Sequence, residues 1–206
     1  DMEFNRLLSN AISFYGEPDN KEFDNVIVSR KVPKIDTKSY KSILKEKELE
    51  GLIKELNKKA IIAVDTETSS LNPQVAELIG ISISYAPNIS FYIPLGHKNI
   101  KGIKKDLVLK KLKTVLEDSS IKKVGQNIKY DFIVLKNNGI ELNTIDDTML
   151  LSYTLDAGKN RHNMDTLSDI HLGHKTISYK ELVGTGKKQL NFSDIGLKAA
   201  TEYAAE

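Results

Sequence analysis

Asp65 and Glu67 stand two positions apart at the end of the apolar run Ala60-Ile61-Ile62-Ala63-Val64. Side chains at i and i+2 of a strand share a face, so the two carboxylates would converge on one spot. Adjacent like charges beside a core are unfavourable unless something positive sits between them. A hard divalent cation such as Mg2+ or Mn2+ suits carboxylate oxygens. A solvated acidic turn gives the same pattern, and the chain has 28 acidic residues. A third carboxylate, Asp131, closes Gly125-Gln126-Asn127-Ile128-Lys129-Tyr130-Asp131, about one turn into a helix that follows a strand. Gln126 and Asn127 at that junction can offer amide hydrogen bonds to a ligand or cap the helix. For Asn127 the cap is the simpler reading.

The elements that must position these groups are legible from periodicity. Residues 60–64 are rich in β-branched types and read as a strand buried on both faces, central in a sheet covered by helices. Ser42-Ile43-Leu44 reads as a short edge strand. Leu49, Leu52, Ile53 and Leu56 recur at helical spacing just before the central strand. Leu78–Tyr85 and Ser90–Leu95 are strand-like around the turn Ala86-Pro87-Asn88, most simply antiparallel. A helical repeat over Leu107–Leu116 leads to a fourth strand, Ile121–Gly125, which returns parallel to the sheet. A helix over Asn127–Asn138 follows. Asp147 caps another, with Met149, Leu150 and Leu151 expected to be buried. The last third reads as short helices: Met164–His171, Tyr179–Val183, and Ser193 to the end with Ser193 as cap. The class is α/β, a mixed β-sheet flanked by helices with a helical C-terminal third.

Residues 1–39 lack sustained periodicity after a helical-looking piece at Phe4–Phe14, with Asn25–Val28 a possible short strand. They read as a linker or arm, and residues 40–206 as the domain proper. Hydrophobic content of 40% and charged content of 28% describe a globular chain able to bury a core. No apolar run approaches the ~18 residues of a membrane span, so no membrane contact is expected. The absence of cysteine removes disulfides and thiolate metal sites; a cytoplasmic location is the default. A net charge of +2 does not by itself declare a nucleic-acid partner, and lysine clusters such as Lys122-Lys123 read first as solvated faces. Gly184-Thr185-Gly186-Lys187-Lys188 fails as a phosphate loop, because Glu181 stands where a glycine is needed and Lys188 where Ser or Thr is. His162, His171 and His174 show no zinc spacing.

Several runs carry a family resemblance in order: Val64-Asp65-Thr66-Glu67-Thr68, Val124–Asp131, Arg161-His162-Asn163-Met164-Asp165-Thr166-Leu167, His174-Lys175-Thr176-Ile177, Gln189-Leu190-Asn191-Phe192 and Tyr203-Ala204-Ala205-Glu206. Together they resemble the 3′–5′ exonuclease (proofreading) domain of bacterial family A DNA polymerases, over roughly residues 40–206. The opening Met2–Leu8 resembles the handover from a 5′-nuclease region. The resemblance implies a ribonuclease H-like fold and hydrolysis of the terminal phosphodiester at a single-stranded DNA 3′ end. It implies two divalent ions, Mg2+ or Mn2+, and a polymerase domain in the same parent chain. Asp65 would bridge the ions, Glu67 would serve the one carrying the nucleophile, Asp131 the other, and the Tyr203 hydroxyl would orient the attacking water. Leu71 and Phe192 would pack against the terminal bases. Thr68, Gln126, Asn127 and Arg161 would contact the substrate, the last three at its sugar-phosphate backbone.

In the family's last motif an aspartate follows the tyrosine by four residues. Here Tyr203 is present and the given sequence stops at Glu206, one residue earlier. The expectation is a fragment with an incomplete ligand set, weak metal binding and reduced trimming. Glu206 lies ~100° around a helix from the required position and is a poor substitute. Two other readings share the three carboxylates: an RNA-trimming DEDD exonuclease, and a catalytically idle structural or single-strand-binding module.

Overall fold

The computed structural model describes residues 9–10, 12–14, 16, 35–186 and 189–206. The expected strand at 25–28, the Met2–Leu8 segment, most of the Phe4–Phe14 piece and Lys187-Lys188 lie outside the described residues. The chain divides into two compact units, Asp1–Val32 and Pro33–Glu206. In the first, residues 12–14 are helical and the Gly16 N–H closes on Ile12 O at 2.8 Å.

The second unit is built on a six-stranded sheet. Its strands are β1 (Lys41–Ser42), β2 (Ile61–Thr68), β3 (Leu78–Ala86), β4 (Ile89–Pro94), β5 (Lys122–Gly125) and β6 (Ile145–Asp147). The spatial order is β1-β4-β3-β2-β5-β6. β2, β3 and β4 form the antiparallel run expected from the sequence, and β5 returns parallel to β2 after a crossover helix. The three-residue strand β6, parallel to β5, was not expected; three residues are too short for a period to show. The helices are α1 (Glu46–Leu56), α2 (Lys105–Leu116), α3 (Lys129–Asn137), α4 (Thr148–Asp156), α5 (Met164–Leu172), α6 (Tyr179–Val183) and α7 (Leu197–Ala204). Among the described residues no helix is long and apolar enough to cross a membrane.

Two apolar layers sandwich the sheet unequally. On one face Leu49, Leu52 and Leu56 of α1, Val108, Leu112, Val115 and Leu116 of α2, and Val134 and Leu135 of α3 pack on Ile62, Val64, Ile81, Ile83 and Ile93. The other face carries a smaller layer of Ile79, Tyr92, Val183, Phe192, Ile195 and Ala200. The Ser42 and Thr201 hydroxyls, 2.7 Å apart, tie β1 to α7 within it. β2 is central, but it is not buried on both faces. Its burial alternates: Ile62, Val64 and Thr66 face the large core, whereas Ile61 is 55% exposed and Ala63 is exposed. The second layer reaches only the far end of β2, where Asp65 and Glu67 are half-buried.

Other expectations are corrected by packing. Leu150 and Leu151 of α4 are 57% and 53% exposed and Met149 is half-buried, because α4 leaves the sheet beyond its edge strand and packs mainly on β6. Asp147 does cap α4, accepting from Met149 N at 2.9 Å. Ser193 caps nothing: it lies in a 3-10 turn, Phe192–Asp194, and α7 begins after Gly196. Lys123 is not on a solvated face. It is fully buried, with Nζ donating to Asp118 O at 2.6 Å and Ile121 O at 2.7 Å, which pins the α2–β5 turn.

Gly80 in the middle of β3 is required by a close approach. A Cβ there would lie 2.2 Å from the Tyr92 hydroxyl and 2.4 Å from two of its ring carbons. The phenol, itself fully buried, therefore lies across the glycine backbone. We predict that Gly80→Ala lowers stability by about 1–3 kcal/mol through overpacking, read from the urea midpoint. Pairing it with Tyr92→Leu should cost less than the sum of the two single changes; strict additivity would reject the steric account.

Candidate functional site

The parallel pairing of β2 with β5 ends at Ala63–Val124, because β5 stops at Gly125 and the chain turns into α3. Gly125 permits that turn: a Cβ would meet Val64 O and Ile128 Cγ1, each at 3.0 Å. β2 continues five residues beyond Ala63, its last partner to β5, and this overhang carries Asp65 and Glu67. Asp131, in the first turn of α3, fills the gap left by β5. Its Oδ1 accepts from the Thr66 backbone N–H at 2.9 Å and from Thr66 Oγ1 at 2.5 Å. Asp131 is 2% exposed. On the other side of β2, a bulge between Glu67 and Thr68 in the pairing with β3 re-aims the strand end where the carboxylates sit.

The three carboxylates act on one another. Burial first, and then the Asp131 charge, push Asp65 up to about 7. Burial raises Asp131 to about 6, opposed by the Thr66 hydrogen bonds and reinforced by Asp147. Glu67 is held well above the usual carboxylate range by burial, then by Asp65, then by Asp131. Four phenols surround Glu67 closely enough to feel its charge: Tyr92, Tyr130, Tyr179 and Tyr203, each raised first by burial. The Tyr203 ring packs between Tyr179 and Phe192, with centroids 6.1 and 5.9 Å away, and its hydroxyl stays protonated at neutral pH. Among the described residues no three Asp, Glu or His side chains are already gathered as a cation cage. The donor set still fits a divalent ion. It consists of carboxylates whose strongest charged neighbours are other carboxylates.

The remaining expected site residues divide. Leu71 is 97% exposed, so it is not core, and its loop is held from below. Tyr130 donates to Ser70 O and bonds the Thr68 hydroxyl, which itself donates to Ser70 O at 3.1 Å. Thr68 thus fastens the loop that carries Leu71. Phe192 is corrected: at 1% exposure it has no face free for a base and packs beneath Tyr203 against Tyr92 and His97. Gln126 spends both ends of its amide within the protein, donating to His162 O at 2.7 Å and accepting from Thr148 Oγ1 at 2.6 Å. Asn127 does not cap α3. It adopts φ +56, its N–H donates to Asp147 Oδ1 at 3.0 Å, and its side-chain oxygen is buried without a partner among the described residues. Arg161 is exposed and in none of the ion pairs of the described residues. The Glu206 carboxylate accepts from Ile177 N at 2.6 Å and bonds His174 Nε2 at 2.5 Å. Thr66, Tyr92 and His97 were not expected at the site. The Tyr92 hydroxyl and His97 Nε2 are 2.6 Å apart. The signals for them were a hydroxyl between the two acids of a strand, and a glycine mid-strand.

The 3′–5′ exonuclease model of family A DNA polymerases matches residues 40–206. The chain belongs to this exonuclease family. DNA polymerase I of Rhizobium leguminosarum is 41% identical over 194 residues, covering 83% of this chain and 19% of that protein. The chain thus spans about a fifth of the length of the curated relatives it matches. Among solved structures, Escherichia coli RNase D, an exoribonuclease involved in structured RNA processing, superposes with a TM-score of 0.59 at 20% identity, over 81% of this chain and 40% of that one. Brucella melitensis NrnC with bound Mg2+ gives 0.52 at 24% identity, over 71% and 65%. These likenesses show the fold, a ribonuclease H-like mixed sheet flanked by helices.

An unfolded chain gives up carboxyl protons near pH 4, whereas Asp65 and Asp131 keep theirs to about 7 and about 6. Between these limits the folded state binds more protons, so the stability present below pH ~4 is lost as pH rises toward 7. We predict that in EDTA the melting temperature falls from pH 5 to pH 8. Asp131→Asn, which keeps an acceptor for Thr66, should shrink that fall and melt higher than the parent at pH 8. A variant that melts lower at pH 8 would contradict the electrostatic account.

Proposed function

We propose that residues 40–206 act as a 3′–5′ exodeoxyribonuclease domain within a longer, cytoplasmic DNA polymerase I chain, with residues 1–39 as an arm leading into it. The domain would remove 3′-terminal nucleotides from single-stranded DNA, the chemistry of proofreading in replication and repair. The observation that carries this reading is the meeting of Asp65, Glu67 and Asp131 at the overhanging end of β2, in a chain of this exonuclease family.

Asp65 and Glu67 from β2 and Asp131 from α3 are the residues to hold two Mg2+ or Mn2+ ions. When bound, such ions lower the pKa of an attacking water and neutralise charge on the phosphate and the leaving 3′ oxygen. Their charge would also offset the burial, and after it the neighbouring negative charge, that hold the carboxylate protons on. Tyr203, still protonated, offers an O–H to orient the water, with Phe192 as its packing support. Leu71, at the head of a loop fastened by Thr68 and Tyr130, presents an apolar edge to the terminal bases. Contact with a base's apolar face is blind to sequence, as removal of any terminal nucleotide demands. Arg161, in no ion pair among the described residues, would supply a cation for a backbone phosphate. The Gln126 amide orders the turn beside Asp131 and would reach the sugar-phosphate only by exchanging its present partners, whereas the buried Asn127 amide oxygen has none to exchange among the described residues.

The test is stepwise shortening of a 5′-labelled single-stranded DNA oligonucleotide in Mg2+. Asp65→Asn should slow it at least about a hundredfold, and Leu71→Ala should raise KM more than it lowers kcat. Binding of the oligonucleotide without shortening in either Mg2+ or Mn2+ would favour the idle module. Equal trimming of the matching RNA would favour the RNA exonuclease.

A further inference from the structure

Half of the Asp131 carboxylate is committed before any ligand arrives. The Thr66 N–H and the Thr66 hydroxyl both donate to Oδ1, at 2.9 and 2.5 Å, and both residues are buried. Two donors occupy the two lone-pair directions of that oxygen, so only Oδ2 can accept anything further. Rotation of the carboxylate does not escape this, since either oxygen must serve Thr66 in turn. The arrangement follows from strand geometry. Thr66 lies between Asp65 and Glu67 and therefore points to the opposite face of β2, where α3 packs. Its backbone N–H is free for a side chain because β5 has already turned away.

We propose that Thr66 is a positioning residue that makes Asp131 a one-oxygen ligand and thereby selects small six-coordinate cations, Mg2+ or Mn2+, over Ca2+. Mg2+ demands near-octahedral geometry and is served by single carboxylate oxygens, whereas Ca2+ takes six to eight oxygens and commonly takes both oxygens of a carboxylate. A carboxylate that can offer both oxygens narrows the difference between the two ions. The inference rests on the reading of Asp65, Glu67 and Asp131 as the cation site.

The experiment is calorimetric titration of the chain with Mg2+ and, separately, with Ca2+, repeated for Thr66→Val, Thr66→Ala and Thr66→Ser, with melting curves in EDTA for each. Valine is nearly isosteric and keeps the backbone donor while deleting the hydroxyl. Alanine does the same without placing an apolar branch against the carboxylate. The expected result is a shift of the Mg2+-to-Ca2+ affinity ratio toward Ca2+ by roughly tenfold in Val and Ala, with Ser retaining the parent ratio. A stability role alone would lower the melting temperature and leave the ratio unchanged, and that outcome in folded variants overturns the proposal. Failure of the unaltered chain to bind either ion, even at millimolar concentration, overturns the cation reading along with it. Binding with an unaltered ratio overturns this inference alone.

Discussion

Burial of Asp65, Glu67 and Asp131 near one another is the constraint around which this molecule is arranged. Three carboxylates brought together at the edge of a core would ordinarily drive the elements bearing them apart. Here β2 is locked between β3 and β5, and α3 is held by Val134 and Leu135 in the large apolar layer, so the charges cannot separate. The fold answers with partial neutralisation instead. Asp131 is anchored by two Thr66 donors, while Asp65 and Glu67 face the half-covered side of the sheet. The protons they retain mark a site that favours added positive charge.

The surroundings of Glu67 are made of groups that pack like apolar residues and carry a hydroxyl. Gly80 lies directly across from Glu67, and the space it leaves is taken by the Tyr92 phenol. Tyr92 and His97 share a hydrogen bond, and both rings pack on Phe192, which in turn packs on Tyr203. A continuous aromatic layer thus runs from the strand face beside Glu67 to the phenol on α7. Phe192 matters for this reason, as the middle of the layer.

The sequence was most legible where one period decides one face. The i, i+2 spacing of Asp65 and Glu67 set both on one side of β2, and burial of Ile62, Val64 and Thr66 on the other bears that out. The helical stripe of Leu49, Leu52 and Leu56 and the parallel return of β5 were equally readable. What failed depended on tertiary neighbours. Residues 60–64 are apolar throughout, and letters alone do not reveal that Ile61 is left 55% exposed. Leu150 and Leu151 look like core residues, but α4 sits past the sheet edge. Asn127 looks like a cap, but its left-handed backbone and its bond to Asp147 arise from how sharply β5 must turn. Leu71 and Phe192 read alike in sequence and lie at opposite extremes of exposure, because one heads a loop and the other closes a turn under α7.

The two faces of the sheet consequently do different work. The face under α1 and α2 is a large, mainly apolar layer, and it supplies the rigidity that holds β2 in place. The opposite face is small, aromatic and hydroxylated, and Asp65 and Glu67 lie on it. Thr66 belongs to the first face by direction and to the site by bonding, since on that face its hydroxyl donates to Asp131 of α3. A substitution among Leu49, Leu112 or Ile83 acts on the site only by loosening the whole sheet. At Thr66 a change of the same size falls on the hydrogen bonds that fix the Asp131 carboxylate. Position relative to the sheet plane, more than distance from the carboxylates, therefore decides whether a change registers as stability or as chemistry.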